Sequence, residues 1–322
     1  MGWATEMTII RRVFVSSPPD KALNVQQIAF KWAIVQAISD AGFFPELFCN
    51  PRTAEGLAAS KPWTGDGLDE VFRHCVGVAI IGLPRWTIPC PSGVVLMPSE
   101  SSHYEGCLAR TRGLPLLLLV QENAVKRGIF DDGFGTYIEK FPAKADPDWI
   151  KSVPFAMALH KWKSQIDDRR DIFMGYCSGS ADLAQKVKVF IGTATGASIL
   201  DWKTDFDVGS SVLDQISHAV MRCNSGIFLF TKDDKLSNGA EKRGFFKHPR
   251  VEHALSLAIP RDNVVFETGC FMSLKGARRV LVVREAGAKL PADLVGQIYT
   301  NLPDRADISP IKDELVRFVS QI

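Results

Sequence analysis

The acid within Asn263-Val264-Val265-Phe266-Glu267-Thr268-Gly269-Cys270-Phe271 is the side chain of this chain best set up for chemistry. Glu267 follows three apolar residues and precedes a glycine by two. Helical spacing runs on through Phe271 and Leu274, and Gly276 leads into the strand-like Arg279-Val280-Leu281-Val282-Val283. A carboxylate is seldom buried in such company unless something pairs with it, because leaving water penalises the charged form. Two readings stand: a structural acid paired to Arg278 or Arg250, or a carboxylate kept for a ligand or a reacting bond. Tyr104-Glu105-Gly106-Cys107 repeats the arrangement in the first half. Glu105 lies fifteen residues before Val120 and Glu267 sixteen before Val283, each near the end of an apolar run.

Weaker signals accompany these two acids. Cys177-Ser178-Gly179-Ser180 offers small residues before a helix, whose amino end favours an anion; Ser180 serves equally as a plain N-cap. Thr231-Lys232-Asp233-Asp234 leaves an apolar strand and is either a polar loop or a ligand contact through Asp234. In Arg261-Asp262-Asn263, Asp262 or Asn263 caps the Glu267 helix, or Arg261 and Asn263 face a ligand. Ser17 and Tyr104 join Glu105 as a candidate second site. His103 reads as a surface or capping histidine. The six histidines show no metal-ligand spacing, and the seven cysteines, odd in number and without a C-x-x-C pair, read as reduced, mostly buried thiols.

Positioning these residues requires strands that alternate with helices. Arg12 to Pro18 reads as a strand, 25–41 as a helix stopped by Gly42, Phe43 to Phe48 as a strand and Gly67 to Cys75 as a short helix. Val76 to Gly82 and Leu114 to Val120 are continuous apolar runs, the signature of parallel strands covered on both faces. Ser101 to Gly113 is the helix of Glu105. Residues 121–168, rich in proline, glycine and aromatics, read as a small subdomain or lid that ends in a helix near 155–165. The second half repeats the order: strand 171–177, helix 181–192, strand 198–202, helix 210–223, strand 225–231, a polar loop over 232–260, the Glu267 helix, a strand at 279–283 and a last helix over 311–319. Alternation of this kind implies parallel sheets with ligands beyond their carboxyl ends. The expected fold class is therefore α/β: two flavodoxin-like three-layer domains, residues 1–168 and 169–322, related as a divergent duplication.

Composition excludes other classes. The chain is 46% apolar and 23% charged with a net charge of +2, a profile of soluble globular proteins without a basic face for nucleic acid. Nothing approaches the ~18 apolar residues of a membrane span. The start, Met1 to Glu6, lacks the form of a secretory signal, so a cytoplasmic location is expected.

Three runs carry a resemblance. Asn263 to Phe271, then Gly276-Ala277-Arg278-Arg279-Val280, then Lys289-Leu290-Pro291-Ala292-Asp293-Leu294-Val295-Gly296 resemble the TIR-like domains of bacterial predicted nucleotide-binding proteins, including those fused to STING domains in cyclic-oligonucleotide defence systems. The resemblance covers about residues 170–322; its last third is specific, and 170–230 matches in order of elements. Thr268 departs from it, since the family usually carries a larger apolar residue there. The first half resembles TIR and nucleoside deoxyribosyltransferase-type domains more loosely, through Val13-Phe14-Val15-Ser16-Ser17-Pro18 and Ser101 to Gly106.

What the resemblance implies is cleavage of NAD⁺ at the nicotinamide–ribose bond, with Glu267 as the catalytic acid and NAD⁺ as substrate rather than cofactor. The chemistry suits one carboxylate. Nicotinamide leaves as a neutral molecule, positive charge builds on the ribose, and an ionised carboxylate stabilises it without a general acid. Ser178, Ser180, Asp234, Arg261 and Asn263 are candidate substrate contacts by position. The resemblance further implies self-association on activation by a nucleotide second messenger or a protein, a role in antiphage defence, and a first half that senses the signal or drives assembly. Two rivals remain: an N-glycosidase or deoxyribosyltransferase acting on nucleosides or nucleotides, and a protein that binds a nucleotide signal without turnover.

Overall fold

The computed structural model describes residues 10–48, 56–59, 61–91, 93–206, 209–235, 258–291 and 299–322, with backbone only at Asp234, Lys235 and Ala258. Outside these fall Met1 to Glu6, Cys49, Arg250, most of the 232–260 loop and Ala292 to Gly296. The chain forms two compact units, residues 10–169 and 170–322.

The unit of residues 10–169 is built on a parallel sheet. Its strands are β1 (Arg12–Ser16), β2 (Phe44–Glu46), β3 (Cys75–Gly82), β6 (Leu116–Gln121) and β7 (Ile138–Phe141), in the order β2-β1-β3-β6-β7. Between them run α1 (Val25–Asp40), α2 (Gly65–Arg73), α3 (Glu100–Thr111) and α4 (Val153–Asp167). Asn24 and Gln27 close a reciprocal capping box at the start of α1. Gly42, at φ +92°, turns the chain into β2. Alternate strand residues serve opposite faces. Val13, Val15, Ala79, Ile81, Leu117 and Leu119 pack under α1 and α4. Phe14, Val78, Ile80, Leu118 and Val120 pack under α2 and α3. That double cover explains the unbroken apolar runs.

Three details differ from the sequence expectation. Cys75 begins β3 rather than ending α2, because the thiol is buried in the core under α2. Residues 121–168 are not a lid: Ile138–Phe141 pairs parallel with β6 and completes the sheet edge. Between β3 and α3 the chain makes an antiparallel ribbon, β4 (Pro84–Cys90) with β5 (Gly93–Pro98), which no periodicity announced.

The unit of residues 170–322 repeats the topology. Its sheet contains β8 (Arg170–Gly175), β9 (Ile199–Asp201), β10 (Cys223–Phe230), β13 (Val280–Glu285) and β14 (Tyr299–Leu302), in the order β9-β8-β10-β13-β14. With strands numbered within each unit, both sheets read 2-1-3-4-5, all parallel. α5 (Ala181–Thr195) and α9 (Lys312–Ser320) cover one face. α7 (Val212–Arg222) and α8 (Asp262–Lys275) cover the other. A single turn, α6 (Trp202–Asp205), follows β9. A short antiparallel pair, β11 (Asp234–Lys235) with β12 (Ala258–Ile259), sits between β10 and α8, the place of the β4–β5 ribbon. Strand β14 was absent from the sequence reading, and the Ser198–Trp202 strand is shorter because Trp202 already opens α6. The helix expected to stop at Gly192 runs on to Thr195.

Candidate active site

α8 turns Val264, Glu267, Thr268 and Phe271 inward, the i, i+3, i+4, i+7 stripe of a helix laid on a sheet. Glu267 therefore occupies a position that normally takes a leucine. Thr268 fits the same buried stripe because its hydroxyl returns to the Val264 carbonyl at 2.6 Å. The Glu267 side chain reaches the carboxyl end of β8, where Gly175 is the last residue; a Cβ there would lie 2.9 Å from Oε2 and 2.3 Å from the Phe228 ring. Glycine is thus required at 175 by the approach of an acid and an aromatic ring.

Glu267 is 8% exposed, and Oε2 is buried without a hydrogen-bond partner among the described residues. Burial alone pushes the carboxyl up to about 7. The expected structural pairing is not made: Arg278 does not reach it, and Arg250 lies outside the described residues. A buried carboxylate without a cation is costly, so the arrangement complements a ligand that brings positive charge or hydroxyl donors.

The loops around the same sheet edge hold a chain of hydroxyls. The Ser180 and Thr231 hydroxyls lie 2.6 Å apart, and Thr231 donates to Asp233 at 2.8 Å. Ser180 is buried and occupies the N-cap of α5, yet makes no side-chain cap bond, so the plain capping role is replaced by the link to Thr231. Ser178 is exposed beside it. Asp234 lies in β11 by its backbone, and it is the neighbouring Asp233 that turns to the hydroxyls. Arg261 holds the N-cap position of α8, with Asp262 in the first turn; neither Asp262 nor Asn263 caps the helix, and all three are exposed. Glu285, at the end of β13, accepts the Lys232 backbone N–H at 3.0 Å and two N–H bonds from Arg305. It thereby fixes the loop after β10 to the segment after β14. Against the upward push of burial, Arg305 and Lys232 hold the Glu285 carboxyl below its ordinary value. The sequence marked the run from Thr231 to Asp234 but not its link to Ser180, 51 residues away, nor Glu285, whose partners Arg305 and Lys232 are 20 and 53 residues away.

The equivalent acid of the other unit has a different environment. On α3 the inward stripe is Ser102, Glu105, Gly106 and Ala109. Glu105 is 3% exposed, and its Oε1 accepts the Trp63 indole N–H at 2.7 Å. Burial pushes this carboxyl up to about 7, against the pull of hydrogen bonds from Ser16 and Trp63. The Ser16 hydroxyl lies 3.2 Å from that of Ser102. Ser16, not Ser17, is the β1 residue turned to the acid; Ser17 is only partly buried beside it. Tyr104 is half-exposed and meets Trp63 edge-on at 6.3 Å between ring centres. His103 is half-buried against Phe130 rather than capping the helix.

Strand register explains the contrast between the two acids. Ser16 pairs with Ile80, the sixth residue of β3, and Gly175 pairs with Phe228, the sixth residue of β10. The two positions are equivalent. One supplies Glu105 with a hydroxyl, and the other leaves Glu267 with none.

Comparison with known proteins bears on the unit of residues 170–322. Residues 171–304 match the family model described as CAP12/Pycsar effector protein, TIR domain. A CD-NTase-associated protein 12 from Flavobacterium daejeonense is 34% identical over 126 residues, 39% of this chain and 35% of that protein. Its namesake from a Lachnospiraceae bacterium (strain RUG226) is 31% identical over 130 residues, 40% of this chain and 36% of that protein. The Pycsar effector protein BcPycTIR of Burkholderia cepacia is 32% identical over 101 residues, 30% of this chain and 28% of that protein. The chain thus spans about a third of the length of these relatives.

Proposed function

Because residues 171–304 form a TIR-like domain related to the CAP12/Pycsar effector proteins, we propose that this chain cleaves NAD⁺ at the nicotinamide–ribose bond. The observation that carries the reading is the buried Glu267 carboxyl with an unpartnered oxygen among the described residues. The nicotinamide ring of NAD⁺ is a cation, and its positive charge favours the ionised carboxylate that burial otherwise resists. As the glycosidic bond lengthens, the bonding electrons leave with nicotinamide, which departs neutral. The charge passes to the ribose, next to the carboxylate, and water adds to that carbon and gives up a proton to solvent, which completes the hydrolysis to ADP-ribose. In this reading Ser178, Ser180, Asp234, Arg261 and Asn263 contact the substrate from the loops, and Asp233 and Thr231 join them.

The word effector in the matched family's description and in the Burkholderia cepacia relative's name supports a role in antiphage defence, with a nucleotide second messenger or a protein as activator and self-association on activation, in the cytoplasm. Residues 1–168 form the sensing or assembly domain and 169–322 the catalytic one. Identical strand order, equivalent glutamates and a ribbon at the same point of both units support their origin by duplication.

Nicotinamide release by the full chain tests the assignment, in the presence of cyclic nucleotides as candidate activators. Glu267→Gln is expected to lower the rate by about 10²–10³, the range for removing one preorganised electrostatic group. A variant that retains the wild-type rate refutes it.

A further inference from the structure

α8 is apolar on both of its sides. Val264 and Phe271 face the sheet, while Phe266 and Leu274 on the opposite side are 50% and 58% exposed. A helix that is apolar all round ordinarily lies in a core, so this outer face is without its cover among the described residues. The neighbouring α7, packed on the same face of the sheet, adds exposed Val212 and Leu213 at its start. Exposed apolar surface gathered in this way marks a contact with another molecule.

The order of residues along the outer face identifies that molecule. Asp262, Phe266, Cys270 and Leu274 recur at every fourth residue and so form one ridge of the helix. Arg278 continues the spacing just beyond the helix end. Outward from Cys270, Phe266 and Leu274 lie four residues to either side, and Asp262 and Arg278 eight. Turned end for end, the ridge therefore complements itself: the phenylalanine meets the leucine and the acid meets the arginine. Asp262 and Arg278 are both exposed, and neither has an ion-pair partner among the described residues. Gly269, beside Cys270, has open space at its Cβ position, which leaves room for a second helix to approach. Self-complementary surfaces of this kind pair about a two-fold axis.

We infer that the outer face of α8 is a contact between two copies of this chain, paired antiparallel about a two-fold axis near Cys270, with Phe266 of each copy against Leu274 of the other and Asp262 against Arg278. The contact supplies a surface for the self-association proposed above, and it stands whether or not Glu267 cleaves NAD⁺.

Sedimentation equilibrium of the full chain tests the inference through the dimer dissociation constant. A contact built on one helix ridge is small, so the wild-type constant is expected at roughly 10–100 μM. Asp262→Arg and Arg278→Asp are each expected to weaken association about tenfold, since either one sets like charges together at both ends of the dimer. An equimolar mixture of the two variants is expected to form mixed dimers with about the wild-type constant, because every acid in the mixed dimer again meets an arginine. That recovery also shows both variants to be folded. Phe266→Glu is expected to leave the chain monomeric with an unchanged urea midpoint, as the side chain it replaces is exposed. A wild-type chain that stays monomeric up to about 300 μM overturns the inference. So does an association that either charge reversal leaves intact, or one that the mixture fails to restore. Nicotinamide release has no part in these readouts, so their failure leaves the NAD⁺ reading untouched.

Discussion

In the proposed cleavage of NAD⁺, a carboxyl that must be ionised to work, and is held near neutrality by burial, gives the reaction a pH signature. In the free protein Glu267 is pushed up to about 7 because it is desolvated and no cation among the described residues offsets the loss. Below that value most molecules carry the neutral acid, which cannot stabilise positive charge on ribose. The rate constant kcat/KM for nicotinamide release, which reports groups of the free enzyme, is therefore expected to climb with pH through about 7 and then level off. Bound NAD⁺ places a pyridinium cation at the site and lowers the carboxyl, so the rise in kcat is expected at lower pH than the rise in kcat/KM. Initial-rate profiles over both quantities decide the point. A kcat/KM that falls as pH rises through the same range contradicts a carboxylate mechanism. Asp in place of Glu267 should keep the sign of the profile while losing rate, since the shorter side chain keeps the charge but not the reach.

At the scale of elements, the site depends on how closely α8 lies against the end of β8. Gly175→Ala is expected to destabilise the unit by roughly 1–3 kcal/mol, the usual cost of adding a methyl to a filled space. It is also expected to cut nicotinamide release, because the new Cβ meets both the Phe228 ring and Oε2 of Glu267. Urea unfolding and steady-state rates measure the two effects; an unchanged midpoint with full activity would show that Glu267 is not held where the strand register places it. The elements themselves were legible to different degrees. Continuous apolar runs revealed β3, β6 and β10, because strands buried on both faces have no polar alternation to hide them. The helix of Glu267 was legible from its 3.6-residue repeat. Strands β7 and β14 were not, since each has four residues at a sheet edge, too few to establish a period. Within the sites, the acids could be picked out by type, but Ser16, Trp63 and Gly175 could not. Their meaning arises from contacts between segments that chain spacing does not encode, as Trp63 and Glu105 are 42 residues apart.

For the molecule as a whole, the two buried glutamates set one side of the stability profile and the paired acids set the other. Both Glu105 and Glu267 are raised in the fold to about 7 from an ordinary 4.5. The folded chain thus binds more protons than the unfolded one between these values. Their contribution is complete below about 4.5, declines as pH rises through about 7, and stays lost above it. Each shift corresponds to roughly 3 kcal/mol at most. Glu285 and Asp201 act in the opposite sense. Both are buried, which raises them, but Arg305 with Lys232 at the first, and Lys188 with Tyr176 at the second, bring the carboxyls below their ordinary values. Their stabilisation is present above the unfolded values and disappears as pH falls through the folded ones. Greatest resistance to urea is therefore expected at mildly acidic pH, above the range in which Glu285 and Asp201 protonate and below about 7. Two compact units need not unfold in one step, so transition midpoints are the quantity to follow across pH. Replacing Glu105 and Glu267 together by Gln should flatten the loss of stability between about pH 5 and 8 and leave the acid limb in place. A double variant whose midpoints fall as steeply as those of the wild-type chain over that interval would mean that neither acid is desolvated in the folded protein.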